Sequence, residues 1–260
     1  MFESLHKLLR VDSEPLENVE FMHISGEASG AGLANYSFLL HHFLSYFIKN
    51  SFRVCLVSCS QSLTQYKLIE SKLGVNLERV ANESQFTFVS LLTLLMEDSN
   101  TSKEKVDSYI THDPVSSIVS AVKDKLSPPT TSRQPCLLIL DDLTALHDIG
   151  VTTSDILHMV CELKSGCTCV STIVTTSLRL SESTHSEEAV SLDKQLSHWS
   201  ELLFHVDELS TGLSKDVHGQ LRIHRLNSLT SGKGDAETYH YKVTDRDVKL
   251  FAVGASPAVL

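Results

Sequence analysis

The sequence lacks several features that whole classes of protein require. No apolar run reaches the ~18 residues of a membrane-spanning helix, so we expect no membrane partner. We expect no secretory signal either, because the first residues contain neither a basic region nor an apolar core. Lysine and arginine number 22 against 32 aspartates and glutamates, which gives a formal net charge of -10. That charge disfavours a free-standing nucleic-acid-binding protein, whose affinity would come mainly from lysine and arginine on phosphates.

The cysteines do not form a recognisable metal or disulfide pattern. There are six of them, without any Cys-x-x-Cys pair, and most lie inside apolar runs. Such positions are typical of reduced, buried thiols in an intracellular protein. The spacing of Cys161, Cys167 and Cys169 is not that of zinc ligands, so we expect no metal site there.

Common catalytic motifs are absent as well. The chain has no Gly-x-Ser-x-Gly elbow, no His-Glu-x-x-His pair and no G-x-G-x-x-G dinucleotide motif. Its 13 histidines are scattered. His41 and His42 lie on an otherwise apolar predicted helix, and we expect one to face solvent and the other to pack. His147 follows a pair of aspartates and is a candidate site residue, although a histidine in a loop is usually only solvated.

One stretch indicates where a site would lie. Five apolar residues, 136–140, stand between Pro135 and the carboxylates Asp141 and Asp142. A short apolar run with such ends predicts a strand that is buried on both faces of a parallel sheet. Ligands bind beyond the carboxyl ends of such strands, and in nucleotide hydrolases an aspartate there holds magnesium. Asp141 and Asp142 are therefore candidate ligand-binding residues, provided that the phosphate half of the site is present.

Strands and helices alternate along most of the chain. Strands are predicted at 19–24, 54–58, 86–89, 136–142, 167–175 and 202–206, and helices at 33–49, 62–73, 114–126, 154–163 and 187–199. Three further strands, at 220–226, 237–244 and 248–253, follow without helices between them. This order predicts an α/β protein with a mainly parallel sheet flanked by helices and extended by a C-terminal antiparallel β-meander.

We predict one domain over residues 1–260. Residues 1–18 are expected to form a peripheral N-terminal arm or helix. Residues 97–113 and 127–135 are expected to be loops, because they carry few large apolar groups or contain consecutive prolines. Residues 216–260 are assigned to the β-meander and its tail.

A glycine-rich turn follows the first predicted strand and precedes a helix, which is the setting of a phosphate-binding loop. The working motif is G-x-x-x-x-G-K-[ST], whose lysine meets the phosphates and whose hydroxyl holds magnesium. Started at Gly26, the motif has Gly32 at the lysine position and Leu33 at the hydroxyl position. Gly26, Gly30 and Gly32 therefore form a degenerate phosphate loop, which also carries Glu27.

Charge opposes a triphosphate at this loop. A unit charge ~4 Å away is worth on the order of 4 kcal/mol at an effective dielectric of 20, so the missing lysine and the added Glu27 act in the same direction. Two interpretations stay open. The backbone amides can cup an anion weakly, or the segment is a tight strand-to-helix turn with nothing bound; the charges favour the second interpretation.

Several strings in the chain resemble one family, the sixth subunits of the Elongator complex. The specific strings are Asp-Val-His-Gly-Gln-Leu-Arg-Ile at 216–223 and Ser-Pro-Ala-Val-Leu at 256–260, with weaker likeness at 40–45, 54–57, 72–75 and 140–143. The likeness extends from about residue 1 to 260, and only residues 97–135 are not diagnostic.

The resemblance implies a RecA-like (P-loop NTPase-like) fold that lacks a functional Walker A motif. It also implies a heterohexameric ring with the fourth and fifth Elongator subunits, which contacts the remaining subunits, binds tRNA and supports modification of the wobble uridine, U34, in the cytoplasm and the nucleus. The catalytic subunit of that complex is a different chain. The resemblance therefore supplies no catalytic residues and no cofactor, and weak or composite ATP binding within the ring stays open.

Two hypotheses follow. The first is a non-catalytic subunit that builds a ring; the second is an ATPase that uses Asp141 or Asp142 with a noncanonical loop. The missing lysine and hydroxyl favour the first. We expect the apolar end of the chain, 256–260, to be docked rather than free. We also expect tRNA binding only in the ring, because the cations Arg179, Lys215, Arg222 and Arg225 are too scattered to offset the negative charge.

Overall fold

One mixed sheet organises the part of the chain that the structure describes. The computed structural model describes residues 2–9, 15–29, 32–33, 36–94, 114–126, 134–180, 187–209, 214, 216–225, 236–244 and 247–253. The strands are β1 (Phe21–Ser29), β2 (Gly32–Leu33), β3 (Arg53–Ser58), β4 (Phe86–Ser90), β5 (Cys136–Asp141), β6 (Val170–Leu180), β7 (Leu202–Asp207), β8 (Gly219–Arg225), β9 (Ala236–Val243) and β10 (Val248–Ala252).

Helices separate the parallel strands. They are α1 (Glu3–Leu8), α2 (Ser37–Lys49), α3 (Leu63–Lys72), α4 (Leu77–Asn82), α5 (Pro114–Leu126), α6 (Ala145–Asp148), α7 (Thr153–Gly166) and α8 (Glu187–Trp199), with a 3-10 turn at Leu16–Asn18. Among the described residues, no helix combines the length and the apolar character that crossing a membrane would need.

The sheet order is β10-β9-β8-β7-β1-β6-β5-β3-β4, with β2 paired to β1. All neighbours from β7 to β4 are parallel, whereas β7-β8, β8-β9 and β9-β10 are antiparallel. The predicted fold class, a mainly parallel sheet with an antiparallel C-terminal extension, is therefore confirmed. The single-domain organisation stays a prediction.

Both faces of the central strands are buried, because helices cover the sheet on both sides. On β5, Leu137 and Ile139 pack with α1 to α4, while Leu138 and Leu140 pack with α5, α7 and α8. The six residues of β5 are all buried, as the continuous apolar run predicts. The N-terminal segment contributes to the first of these cores, with Leu5 fully buried. A three-layer arrangement results, and the polar ends of the strands are left to form sites at the sheet edges.

Two boundaries at the glycine-rich segment were predicted wrongly. The first strand continues to Ser29 rather than ending at residue 24, and α2 begins at Ser37 rather than at Leu33. The cause is long-range: β6 and β7 supply hydrogen-bonding partners on both sides of β1, which apolar periodicity in one segment cannot reveal. The predicted loop at 97–113, most of the one at 127–135 and the chain end at 256–260 lie outside the described residues.

Candidate functional site

The segment predicted as a phosphate loop is a strand over most of its length. β1 pairs with β6 through Ala28 and with β7 through Gly26, so the backbone at Ser25 and Gly26 is paired on both sides. It then pairs with β2 in an antiparallel register, Ala28 with Leu33. A phosphate loop needs consecutive backbone N–H groups that converge on one anion. The described part of this segment, which leaves out Gly30, instead directs its backbone into the sheet.

The space above Gly26 is occupied by an aromatic ring. A Cβ atom placed on Gly26 would lie 2.5 Å from Cδ1 of Tyr36 and 3.2 Å from Cδ2 of Leu178. Tyr36 is 8% exposed and stands directly before α2. The glycine is therefore required by the close approach of the protein's own side chain.

Asp141 is surrounded by hydroxyl groups from three different elements. Thr176 of β6 donates to its Oδ1 atom at 2.9 Å, and Tyr66 of α3 donates a short hydrogen bond to its Oδ2 atom. The Tyr36 hydroxyl donates to the same carboxylate. Asp141 itself is 0% exposed. We call Tyr36, Tyr66, Thr176 and Asp141 the filled site, because these side chains satisfy one another where a ligand would approach the strand end.

Burial governs the ionisation of this cluster. Desolvation raises the pKa of Asp141, and the hydrogen bonds from Tyr66, Thr176 and Tyr36 lower it only in part. The pKa values of Tyr36 and Tyr66 are raised by burial and by the charge of Asp141, so both phenols remain donors at neutral pH. Burial, with the nearby aspartates, also raises the pKa of the Cys59 thiol.

Asp142 adopts an unusual backbone conformation immediately after β5. Its φ angle is +58°, in the left-handed region that aspartate tolerates better than most residues. Its N–H donates to Thr176 Oγ1 at 2.6 Å, and its carboxylate accepts from the backbone N–H groups of Ala145 and Thr144. Burial and the charge of Asp141 raise the pKa of Asp142 to about 6. Its Oδ1 atom has no hydrogen-bond partner among the described residues.

The structure brings some of the site residues predicted from the sequence together and leaves others apart. Asp141 and Gly26 are brought to one place, joined by Tyr36, whereas His147 ties a turn by donating from Nδ1 to the Val151 carbonyl at 2.9 Å. Gly32 lies in β2, and Gly30 lies outside the described residues. Among the described residues no group of three or more histidine, cysteine, aspartate or glutamate side chains is placed to hold a metal.

The prediction that one of His41 and His42 faces solvent is wrong, because both are buried. His41 is 2% exposed and donates from Nδ1 to Glu70 at 2.8 Å, and His42 is 0% exposed and accepts from the Phe2 N–H at 3.2 Å. Desolvation lowers the pKa of His42 well below its usual value. Helices α1 and α3 cover two sides of α2. Phe2 lies 40 residues from His42 in the chain, and Glu70 lies 29 residues from His41.

A second buried polar cluster lies under α8. His23 of β1 contacts Asp193 Oδ1 through Nε2 at 3.2 Å, and Ser177 donates to the same oxygen at 2.7 Å. Burial by itself would raise the pKa of Asp193, but the hydrogen bond and charge of His23, with the Ser25 and Ser177 hydroxyls, lower it to about 2. The His23 ring has no exposed surface, so the cluster ties α8 to the sheet.

Neither cluster was predicted as a whole. Sequence reasoning found Asp141 because it ends an apolar run, but it missed Tyr36, Tyr66 and Thr176. The only available signal was a polar residue, Thr176, within a β-branched strand, and a tyrosine close to the start of an apolar helix. Which of these side chains meet depends on long-range packing, since Thr176 and Tyr66 lie 35 and 75 residues from Asp141 in the chain.

Comparisons with known proteins identify the family and the fold of this chain. A sequence profile of the family described as "Elongation complex protein 6" matches residues 2–245. The chain is 36% identical to "Elongator complex protein 6" of Xenopus laevis, covering all of both chains, and 32% identical to that of Homo sapiens, covering 86% of this chain and 88% of the relative. Its fold resembles that of a KaiC-like protein from Pyrococcus horikoshii OT3, with a TM-score of 0.55, 8% identity and coverage of 90% and 94%.

The sheet order and the structural likeness define the class: an α/β protein with a RecA-like fold, whose glycine-rich segment departs from the G-x-x-x-x-G-K-[ST] motif. Within that class the sequence comparisons are specific. The chain belongs to the Elongator complex protein 6 family.

Proposed function

We propose that this chain is a non-catalytic structural subunit of the Elongator complex. It joins the fourth and fifth subunits in a heterohexameric RecA-like ring and contacts the remaining subunits through that ring. The ring binds tRNA and supports modification of the wobble uridine, in the cytoplasm and the nucleus. The observation that supports the proposal is the filled site, where the Tyr36 ring packs over Gly26 and the Tyr66 hydroxyl donates to Asp141.

The filled site opposes a nucleotide in three ways. The backbone at Ser25 and Gly26 is used in sheet pairing, so it cannot turn towards a phosphate. Both oxygens of Asp141 accept hydrogen bonds from protein hydroxyls, and the side chain is buried. The lysine that would balance phosphate charge is missing from the sequence motif. The groups that would bind a nucleotide are instead hydrogen-bonded within the protein, and the fold is intact. Such a domain can serve as a structural subunit of a larger complex.

The contacts of the described arginines also support a subunit that binds RNA only together with other subunits. Arg179 and Arg222 converge on Asp207, each with an N–O distance of 2.6 Å, and Asp207 neutralises part of their charge. Arg225 donates to the Leu9 carbonyl at 2.8 Å. The isolated chain therefore combines a net charge of -10 with arginines that are already engaged. Several subunits together can supply the phosphate contacts that one chain does not.

Assembly is tested by co-expressing the chain with the fourth and fifth subunits and measuring the mass of the purified complex. We expect one six-chain assembly that contains all three subunits. Labelled tRNA is then titrated with the ring and with the isolated chain at the same salt concentration. The ring should bind much more tightly and with a steep salt dependence; comparable affinity of the isolated chain would show that it carries the RNA site itself.

One observation favours the alternative, an ATPase with a noncanonical loop. Asp142 has a buried carboxylate oxygen without a partner among the described residues, at the strand end where a magnesium ligand would lie. Phosphate release by the isolated chain distinguishes the two functions. The structural function predicts no release that depends on the site, whereas a rate that Asp141→Ala or Asp142→Ala abolishes would establish the ATPase. The same assay on the ring tests a composite site between subunits.

A further inference from the structure

The N-terminal arm, residues 2–9, packs against α2 and β10. Its side chains Phe2, Leu5 and Leu9 are 5%, 0% and 0% exposed, and α1 contacts β10. At the end of the arm, the Leu9 carbonyl accepts from Arg225 at 2.8 Å. At its start, the Phe2 N–H donates to Nδ1 of His42 on α2 at 3.2 Å. A histidine therefore takes part in holding the arm against the rest of the fold.

The hydrogen bond from Phe2 determines the protonation state of His42. Because a backbone N–H can only donate, Nδ1 carries no proton, and the neutral ring has its one proton on Nε2. The ring is 0% exposed and stacks on Phe2, with ring centroids 6.3 Å apart and an angle of 12° between the planes. Nε2 has no hydrogen-bond partner among the described residues. A second proton would place a donor opposite the Phe2 N–H and a charge in a buried site.

The charged groups around His42 do not offer it an anionic partner. Burial is the main cause that lowers its pKa well below the ordinary value, and the positive charges of the chain's amino group, His6 and Lys49 act in the same direction. The carboxylates on and after the arm, Glu3 and Glu17, accept from a lysine of α1 and a tyrosine of α2 instead. The docked arm therefore requires a neutral ring.

We propose that His42 makes the docking of the N-terminal arm sensitive to pH. When the arm leaves α2, the ring loses the cover of Phe2 and can take up a proton with a midpoint near the ordinary ~6.5. The docked state binds fewer protons than the undocked state, so docking is strongest above that pH. Below it, the docking equilibrium weakens by up to about tenfold for each pH unit. Acid opens the arm while the sheet stays folded.

Hydrogen exchange of the full chain, followed by mass spectrometry at pH 7.5, 6.5 and 5.5, tests this docking. Protection factors are compared for peptides from the arm and from β3, because these factors correct for the direct effect of pH on exchange. We expect the protection of the arm to fall roughly tenfold between pH 7.5 and 5.5, while β3 stays protected. Unchanged protection of the arm would overturn the proposal. A parallel loss of protection in β3 would also overturn it, because it would indicate global unfolding.

Two substitutions assign the response to one histidine. His42→Asn removes the titratable ring and keeps an acceptor, because Oδ1 of asparagine can take the place of Nδ1. Its arm should have the same protection factor at all three pH values. His6→Gln is the matched control, since it removes the histidine of the arm itself, whose ring lies 6.3 Å from that of His42, and it should keep the fall in protection. A pH response that persists in His42→Asn would refute the role of His42.

Should His42→Asn fail to fold, the wild-type ring decides. Nitrogen-15 chemical shifts of the imidazole, measured at pH 5.5, report the protonation of His42 in the docked protein. The proposal requires a neutral ring with Nδ1 unprotonated at that pH. An imidazolium at His42 in protein whose arm is still protected from exchange would contradict it.

Discussion

Two buried aspartates, one at the end of a strand and one on a helix that covers the sheet, are held by different chemistry. Asp141, in the filled site, accepts hydrogen bonds from the hydroxyls of Tyr36, Tyr66 and Thr176, and its pKa is raised because burial outweighs those neutral donors. Asp193, on α8, has His23 beside it, and its pKa is lowered to about 2 because the interactions with His23 and the hydroxyl donors outweigh burial. Hydroxyl groups can satisfy a buried carboxylate geometrically without balancing its charge.

The difference explains what each cluster can do. The Asp193 cluster ties α8 to the sheet through a buried carboxylate that contacts His23 and accepts from Ser177, and removing His23 would leave that carboxylate without one of its partners. The filled site joins α2, α3, β5 and β6 through neutral donors, and it does so at the sheet edge where RecA-like folds place ligands. The first cluster is a source of stability, whereas the second fills the strand end at which ligands bind in open α/β sheets.

Removing the Asp193 carboxylate should have the largest effect. Asp193→Ala leaves His23 without its acid and Ser177 without its acceptor, so we expect a loss of about 3 kcal/mol in the free energy of unfolding. Urea unfolding at pH 7 measures it. Lys194→Ala, at the exposed neighbouring position on α8, is the control and should change stability by less than about 0.5 kcal/mol. Equal effects of the two substitutions would remove the distinction between the clusters.

Asp193 and Asp142, which follows the filled site directly in the chain, predict opposite responses of stability to acid. The pKa of Asp193 is lowered, so its stabilising contribution is complete above pH ~4 and is lost as the pH falls towards 2. The pKa of Asp142 is raised to about 6, so the folded state binds the proton more tightly and stability rises as the pH falls from about 6 to ~4.

Asp142→Asn tests whether Asp142 causes the rise in stability between pH 6 and pH 4. The substitution removes the ionisable group at a position where asparagine also tolerates a positive φ. We expect it to raise stability at pH 7 by about 2 kcal/mol and to flatten the pH dependence between 6 and 4. Unfolding free energies at pH 7, 6, 5 and 4 provide the check. A wild-type profile that rises with pH over this interval, unchanged in the variant, would show that Asp142 is not the group responsible.

Crowding the filled site tests its packing. Gly26→Ala places a methyl group 2.5 Å from the Tyr36 ring and should cost about 2 kcal/mol. Gly166→Ala is the matched control, because its Cβ would meet the end of the flexible Lys123 side chain, Cε at 3.0 Å and Nζ at 3.4 Å, rather than a packed ring. Thermal and urea unfolding of both variants give the comparison. Similar stability of the two would mean that Tyr36 does not fill this space in solution.

The smallest effect is expected from removing one neutral donor. Tyr66→Phe takes away one of the three hydroxyls around Asp141 and should cost about 1 kcal/mol, since Tyr36 and Thr176 remain. The same substitution should raise the pKa of Asp141 further, because its charged form loses a donor. Urea unfolding measures the cost. A loss of unfolding free energy as large as that of Asp193→Ala would show that the two clusters contribute equally to stability.

Much of the fold could be predicted because the apolar pattern of many segments reflects where those segments lie in the folded protein. The apolar run 136–140 is a strand buried on both faces, and the helix predicted at 187–199 has the bounds of α8. The later half of β1 could not be predicted, because Ser25, Gly26 and Glu27 carry no apolar alternation and are held in the sheet by β6 and β7.

The candidate site was predictable only at its strand end. Asp141 follows directly from the apolar run, whereas Tyr36 and Tyr66 are brought to it from helices on one face of the sheet. The burial of both His41 and His42 was missed for the same reason, since α1 and α3 cover α2 from distant parts of the chain. Local periodicity gives the face of a helix but not the number of neighbours that will cover it.

Nucleotide binding by the isolated chain tests most directly that the site is filled by the protein itself. The melting temperature is measured with and without magnesium ATP, and magnesium chloride with inorganic phosphate serves as the ionic control. A ligand at a hundred times its Kd would add ~2.7 kcal/mol of stability and raise the melting temperature by several degrees. We predict no shift beyond the control. A specific shift that Asp141→Ala or Asp142→Ala removes would contradict the filled site.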